Sequence, residues 1–168
     1  MSKFIAILLL SFLTHQLHAD DALLNKVKAA FQNSYVFEEG AFDDTASKVS
    51  YSKGNFRFYG NDYRIVIEEP FSEEYVLNSV GLTIIDHEFN QKEFIPLEQI
   101  QNPFIALLLS AELPLLDVTA TNRANVYSIS HQDFTQPVEI TLFNSKVELV
   151  RYIDQLNVTH IIHFYPSP

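Results

Sequence analysis

The chain has 168 residues, 47% hydrophobic and 19% charged, a size suited to one globular domain and too small for a large multidomain enzyme. Lys and Arg total 11 against 21 Asp and Glu, a formal charge of -10, so no basic surface neutralises phosphates and nucleic acid is excluded as a partner. With Cys at 0 there is no disulfide framework, cysteine nucleophile, thiolate metal site or thiol lipidation, and packing alone must hold the fold.

Residues Met1 to Ala19 read as a secretory signal peptide: a charged start at Lys3, an apolar run from Phe4 to Leu13, a polar stretch, and small Ala19 before Asp20-Asp21. The apolar run is shorter than the roughly twenty residues a membrane span needs. Cleavage takes away Lys3 and no acid, so the charge falls from -10 to -11. No Cys follows the cleavage site, so the exported chain has no lipid anchor of the bacterial lipoprotein kind. The expectation is a soluble periplasmic protein, with residues 20–168 as one domain.

Asp20-Asp21 precede Leu23, Val27, Ala30 and Phe31, which share one helical face, and the acids suit the positive end of that helix. From about Tyr35 the period shifts to 2, and strands dominate. Phe56 and Phe58 alternate with Asn55 and Arg57, Gly60-Asn61-Asp62 turns the chain, and Tyr63, Ile65 and Ile67 alternate with Arg64 and Glu68, which predicts a hairpin. Further strands are expected at Glu74 to Leu77, Leu82 to His87, Asn125 to His131, Val138 to Phe143, Val147 to Ile153 and Val158 to Tyr165. The pattern is a long antiparallel meander, with each of the four glycines, at 40, 54, 60 and 81, read as a strand start or turn.

One segment breaks the alternation. Asn102 is a capping residue, Pro103 suits the first helical turn, and Phe104 to Leu109 is apolar all round until Pro114 stops it. A short helix of that kind must be covered by protein or face a cavity with an apolar occupant.

Catalytic motifs are absent: no glycine-rich phosphate loop, no serine elbow, no paired-histidine helix. His160 and His163 are three apart in a strand, on opposite faces, and cannot grip one metal ion together. The acidic pairs Asp43-Asp44, Glu68-Glu69 and Glu73-Glu74 point apart as strand neighbours and read as solvated turns. No metal, cofactor or enzymatic activity is expected. What remains is apolar surface: 14 Phe and 8 Tyr without a Trp, enough to line the concave face of a curled antiparallel sheet under a covering helix.

The order of these features carries a resemblance: a helix, Gly-Asn-Phe-Arg-Phe at 54 to 58, Tyr-Arg-Ile at 63 to 65, Pro70, Tyr75-Val76-Leu77-Asn78 then Gly81, Leu82 to Asp86, Asn102-Pro103-Phe104, and a closing Phe164-Tyr165-Pro166. It resembles the periplasmic lipoprotein carrier family, the LolA-like proteins, over most of the exported chain. The resemblance implies mainly β structure with α: a half-closed antiparallel β-barrel with short helices as a lid over a hydrophobic cavity that shelters lipoprotein acyl chains. Tyr63 and Ile65 match the cavity-facing positions of the family's Phe-Arg-Trp strand, with Ile67 continuing the alternation. Phe104 and Ile105 match the lid helix, which Leu107 and Leu108 extend. Phe56 and Phe58 are added from alternation in the neighbouring strand.

The function implied is that of a non-catalytic, monomeric carrier, loaded by an inner-membrane ABC transporter and unloaded onto a lipidated outer-membrane receptor. The alternative is a protein-binding module of the bacterial envelope with a filled interior and an acidic docking segment, Glu68 to Glu74. The chain departs from the family in two places: Tyr59-Gly60-Asn61 stands where an Arg-Pro pair usually ties down the lid, and Ile65 replaces the usual Trp. Lipoprotein and another lipid both stay open as cargo.

Overall fold

The computed structural model describes residues 22–109, 116–132 and 134–167. The predicted signal peptide, Asp20-Asp21 and the predicted helix stop at Pro114 lie outside them. Helix α1 covers residues 22–31 and turns Val27, Ala30 and Phe31 inward, the spacing its sequence requires. Helix α2 is Pro103–Leu108, with Pro in its first turn and the Asn102 side chain accepting from Phe104 N and Ile105 N. A 3₁₀ turn at Leu97–Gln99 precedes it.

The strands are β1 Tyr35–Asp43, β2 Lys48–Tyr59, β3 Asp62–Glu69, β4 Glu73–Asn78, β5 Gly81–Asp86, β6 Gln91–Pro96, β7 Asp117–Ala120, β8 Val126–Ser130, β9 Val138–Phe143, β10 Lys146–Ile153 and β11 Thr159–Pro166. They form one curved, unclosed antiparallel sheet in the order β6-β5-β4-β3-β2-β1-β11-β10-β9-β8-β7. Two meanders, one leading away from each side, are therefore joined at the centre by β1 and β11, where Phe37 lies opposite Phe164 and Ala41 opposite His160. Local alternation builds the meanders. Their junction is a long-range pairing.

Two strands escape the sequence pattern. Strand β6 exposes its first four residues at the sheet edge, and β7 has four residues with only Val118 buried, so neither shows an apolar alternation long enough to read. The glycine reading is also corrected at two positions. Gly40 lies inside β1, and Gly54 is buried inside β2, where the pairing with β3 shifts register between Lys53 and Gly54. A Cβ on Gly54 would stand 1.9 Å from Val66 O, so that close approach of backbones admits only glycine. Glu74 is not a solvated turn residue. It is buried in β4, and Arg64 holds it through Nε at 2.7 Å and an Nη at 2.9 Å. Arg64 thereby keeps that carboxyl below its usual range, against the opposing effect of burial.

The concave face carries the core. Phe31 from α1 packs 5.9 Å from Phe56, 5.8 Å from Phe104 and 6.2 Å from Phe164, ring centre to ring centre. Such pairs add about 0.5–1.5 kcal/mol each beyond the area they bury. From the middle of α1, Lys26 Nζ donates to Tyr127 of β8. The helix thus bridges the two meanders across the hollow of the sheet. Among the described residues no helix is long and apolar enough to cross a membrane.

Candidate functional site

A cavity of about 220 Å³ lies between the concave sheet and α2, walled by Phe37, Phe56, Ile65, Ile67, Phe104, Ile105, Ile162 and Phe164. Strand register fixes its polarity. Inward positions on β1 run Tyr35, Phe37, Glu39, and those on β11 run Phe164, Ile162, His160 from the same end. Aromatic rings close one end, where Tyr35 packs 5.4 Å from Phe164 and 6.1 Å from Phe56. Polar groups gather at the other: Glu39, Tyr75, Asn102, Tyr152 and His160.

Each polar group has a definite partner. His160 Nδ1 lies 2.7 Å from Glu39 Oε1, and its Nε2 lies 3.3 Å from Asp154 Oδ2. A neutral imidazole donates from only one nitrogen, whereas two carboxylates both accept, so the arrangement suits the imidazolium. Burial opposes that charge, yet the two carboxylates outweigh it and hold the His160 pKa above its ordinary value. The ring stacks on Tyr152 with centroids 4.5 Å apart and planes 2° from parallel. Ser52 donates to Glu39 Oε2 at 2.8 Å, and the Tyr75 hydroxyl donates to Glu73 at 2.6 Å.

Tyr152 also ties α2 to the sheet. Its hydroxyl accepts from Asn102 Nδ2 at 3.2 Å, and its ring stacks on Phe104 at 6.0 Å. Burial, then the nearby charge of Glu39, pushes the hydroxyl pKa up, so it stays protonated. Its own proton meets no acceptor among the described residues.

Of the residues expected from sequence, Phe56, Ile65, Ile67, Phe104 and Ile105 stand on this cavity. Four do not. Phe58 and Tyr63 face each other near the β2–β3 turn, 4.9 Å apart, beyond the Phe56 ring. With Leu108 they border a separate hollow of about 440 Å³ that also touches Lys28 of α1 and Gln32 just after it. Leu107, 1% exposed, packs in the core and borders neither space. The reason is position along the strand: alternation sorts faces, but Phe56 separates two levels of one face. Phe104 is itself only 5% exposed, so it is a core ring as well as a cavity wall.

Sequence reasoning missed Phe37, Ile162, Phe164 and the whole polar end. The signal was present: β1 alternation places Phe37 and Glu39 together, and β11 alternation places His160, Ile162 and Phe164 together. His160 and His163 do lie on opposite faces, His163 being exposed. The His160–His163 spacing carries no trace of Glu39, 121 residues away, because that contact comes from the pairing of β1 with β11. Among the described residues no group of three His, Cys, Asp or Glu side chains is arranged to hold a metal ion.

No protein-family model and no curated protein matches the chain. Solved structures similar to it include a LolA superfamily protein from Nitrosomonas europaea, at 8% identity over 87% of this chain and 91% of that one, with a TM-score of 0.48. A conserved protein from Thermus thermophilus is 10% identical over 89% and 88%, with a TM-score of 0.47. An outer membrane lipoprotein-sorting protein domain from Vibrio parahaemolyticus is 7% identical over 86% and 91%, with a TM-score of 0.43. At such identities and scores the likeness is one of overall shape, and the functional reading rests on this chain's own cavity.

Proposed function

We propose that the protein is a non-catalytic periplasmic carrier that shelters an acyl chain, of a lipoprotein or a related lipid, between its concave sheet and α2. The observation that carries this reading is the half-open, largely apolar cavity bounded by Ile65, Ile67, Phe104 and Ile105. An ordinary filled core leaves few voids of that size. The cavity is somewhat larger than the about 150 Å³ space known to hold a benzene ring, so it admits a short stretch of hydrocarbon as it stands. A whole chain requires α2 to move.

That requirement gives the carrier its reversibility. Burying acyl carbons contributes about 0.8 kcal/mol per methylene, so a dozen would bind with about 10 kcal/mol and leave slowly. The cost of displacing α2 is subtracted from that affinity. In place of the family's Arg-Pro lock, α2 is fastened by the Asn102–Tyr152 hydrogen bond and the Phe104–Tyr152 stack. Phe104 and Ile105 form the movable wall, and the strands form the fixed one. Direction then comes from a donor that loads the cavity, an inner-membrane transporter, and an acceptor at the outer membrane that binds the cargo more tightly.

Ile67 lines the cavity but is only partly buried, so Ile67→Trp fills the space at modest cost to the fold. The uncharged fluorophore N-phenyl-1-naphthylamine should brighten on adding the parent protein and stay dim with the variant. Solvent extraction of the purified parent, followed by mass spectrometry, should release lipid. Fluorescence unchanged by the substitution, together with an extract free of lipid, would refute the carrier and favour a protein-docking module.

A further inference from the structure

We infer that the polar end of the cavity selects amphiphiles carrying an amine and rejects those ending in carboxylate or phosphate, an inference that rests on the cavity being a lipid site. The argument is one of charge and of unmet hydrogen bonds. Glu39 lines the space directly, Asp154 stands behind His160, and Glu73 lies on the same face of β4 as Tyr75, which lines the cavity and donates to it. One carboxylate on the wall and two just behind it thus stand against one imidazole, and the excess is negative whichever protonation state His160 holds. Lys53, next to Ser52, does not correct it, because Glu69 holds it at 2.8 Å. Arg64 is likewise held by Glu74.

The donors and acceptors are as lopsided as the charge. Glu39 receives one bond at each oxygen, from His160 and Ser52, and each carboxylate oxygen has a second lone pair to offer. Those lone pairs want N–H groups. Tyr152, a residue 5% exposed and on the cavity wall, supplies the opposite chemistry: a hydroxyl donor without an acceptor among the described residues. A ligand with a carbonyl near an ammonium or amine satisfies both, its oxygen on Tyr152 and its N–H groups on Glu39. An anionic head would face Glu39 across a partly dry opening, where like charges repel more strongly than in water.

The hydrocarbon wall and the polar end are separable by experiment. Decylamine, decanol and decanoate share a ten-carbon chain and differ at the head; each is titrated against bound N-phenyl-1-naphthylamine at pH 7.5, below micelle-forming concentration. Decylamine is expected to displace the fluorophore at least about tenfold better than decanoate, the effect of one close charge contact. Decanol should fall between them. In Glu39→Gln the ratio of decylamine to decanoate should shrink severalfold.

Binding of decanol with no preference for amine over carboxylate overturns the head-group inference and leaves the lipid cavity standing. Retention of the full preference in Glu39→Gln overturns the assignment to Glu39. Failure of the fluorophore and all three chains to bind overturns the cavity reading and this inference with it.

Discussion

The Tyr35 hydroxyl accepts the backbone N–H of Val147 at 3.0 Å, across 112 residues of sequence, and donates to Ala30 O at 2.6 Å. One side chain so joins the end of α1, the start of β1 and the start of β10. The bond exists because β10 slips register against β9 between Val147 and Leu149, which gives the Val147 N–H a partner outside the ladder. Tyr35 is 0% exposed, and burial raises its pKa, so the hydroxyl is a permanent donor here.

Tyr35→Phe therefore leaves the buried Val147 N–H without its partner, while Ala30 O keeps the Asn33 amide at 2.9 Å and the ring stays in place. The expected loss is about 1–3 kcal/mol. Urea unfolding of the two proteins checks it; an unchanged midpoint would mean that water replaces the hydroxyl.

Gly54→Ala should be among the costlier single-methyl additions in the molecule. The new Cβ would lie 1.9 Å from Val66 O and 2.9 Å from its carbonyl carbon, both in the rigid partner strand. Relief requires opening the β2–β3 ladder beside Ile67. A loss of about 2 kcal/mol or more is expected by thermal or urea denaturation, with weaker fluorophore binding because the cavity wall shifts.

Arg64→Met removes the guanidinium from a half-exposed position but strands Glu74, 7% exposed, with only His87 at 3.4 Å. The expected cost is about 1–2 kcal/mol near neutral pH. Because Arg64 depresses the Glu74 pKa, its stabilisation is present above the ordinary carboxylate value of 4.5 and fades as pH falls through the lower folded value. Parent and variant should thus converge in strong acid. Parallel stability curves down to that range would count against the pairing.

His160 predicts the reverse slope. Its folded pKa is raised, so the charged ring stabilises the fold fully below the unfolded value of 6.5, and that contribution disappears as pH rises through the folded pKa. His160→Gln should lose stability at pH 5.5 and differ less from the parent at pH 9. Urea midpoints over that range test it, and an identical pH profile for both proteins would dismiss the Glu39–His160–Asp154 chain as a stabilising unit.

Period-2 alternation and turn residues made most of the sheet legible: Gly60-Asn61-Asp62 turns β2 into β3, and β9 begins and ends where its apolar pattern does. The Asn102 cap and Pro103 announced α2 for the same local reason, since capping and φ restriction act within one turn. Edge strand β6 was silent because a strand with four exposed residues has no buried face to imprint on its sequence.

The cavity was half legible. Alternation nominates Phe56, Ile65 and Ile67 as inward, but cannot say that Phe58 and Tyr63 sit a level beyond them. The meeting of Glu39 with His160 was decided by the pairing of β1 with β11, which brings the first strand beside the last. Local sequence fixes the face on which a side chain stands. Only the folded sheet, through its curvature and central long-range pairing, decides which faces close around a space and which polar groups guard its mouth.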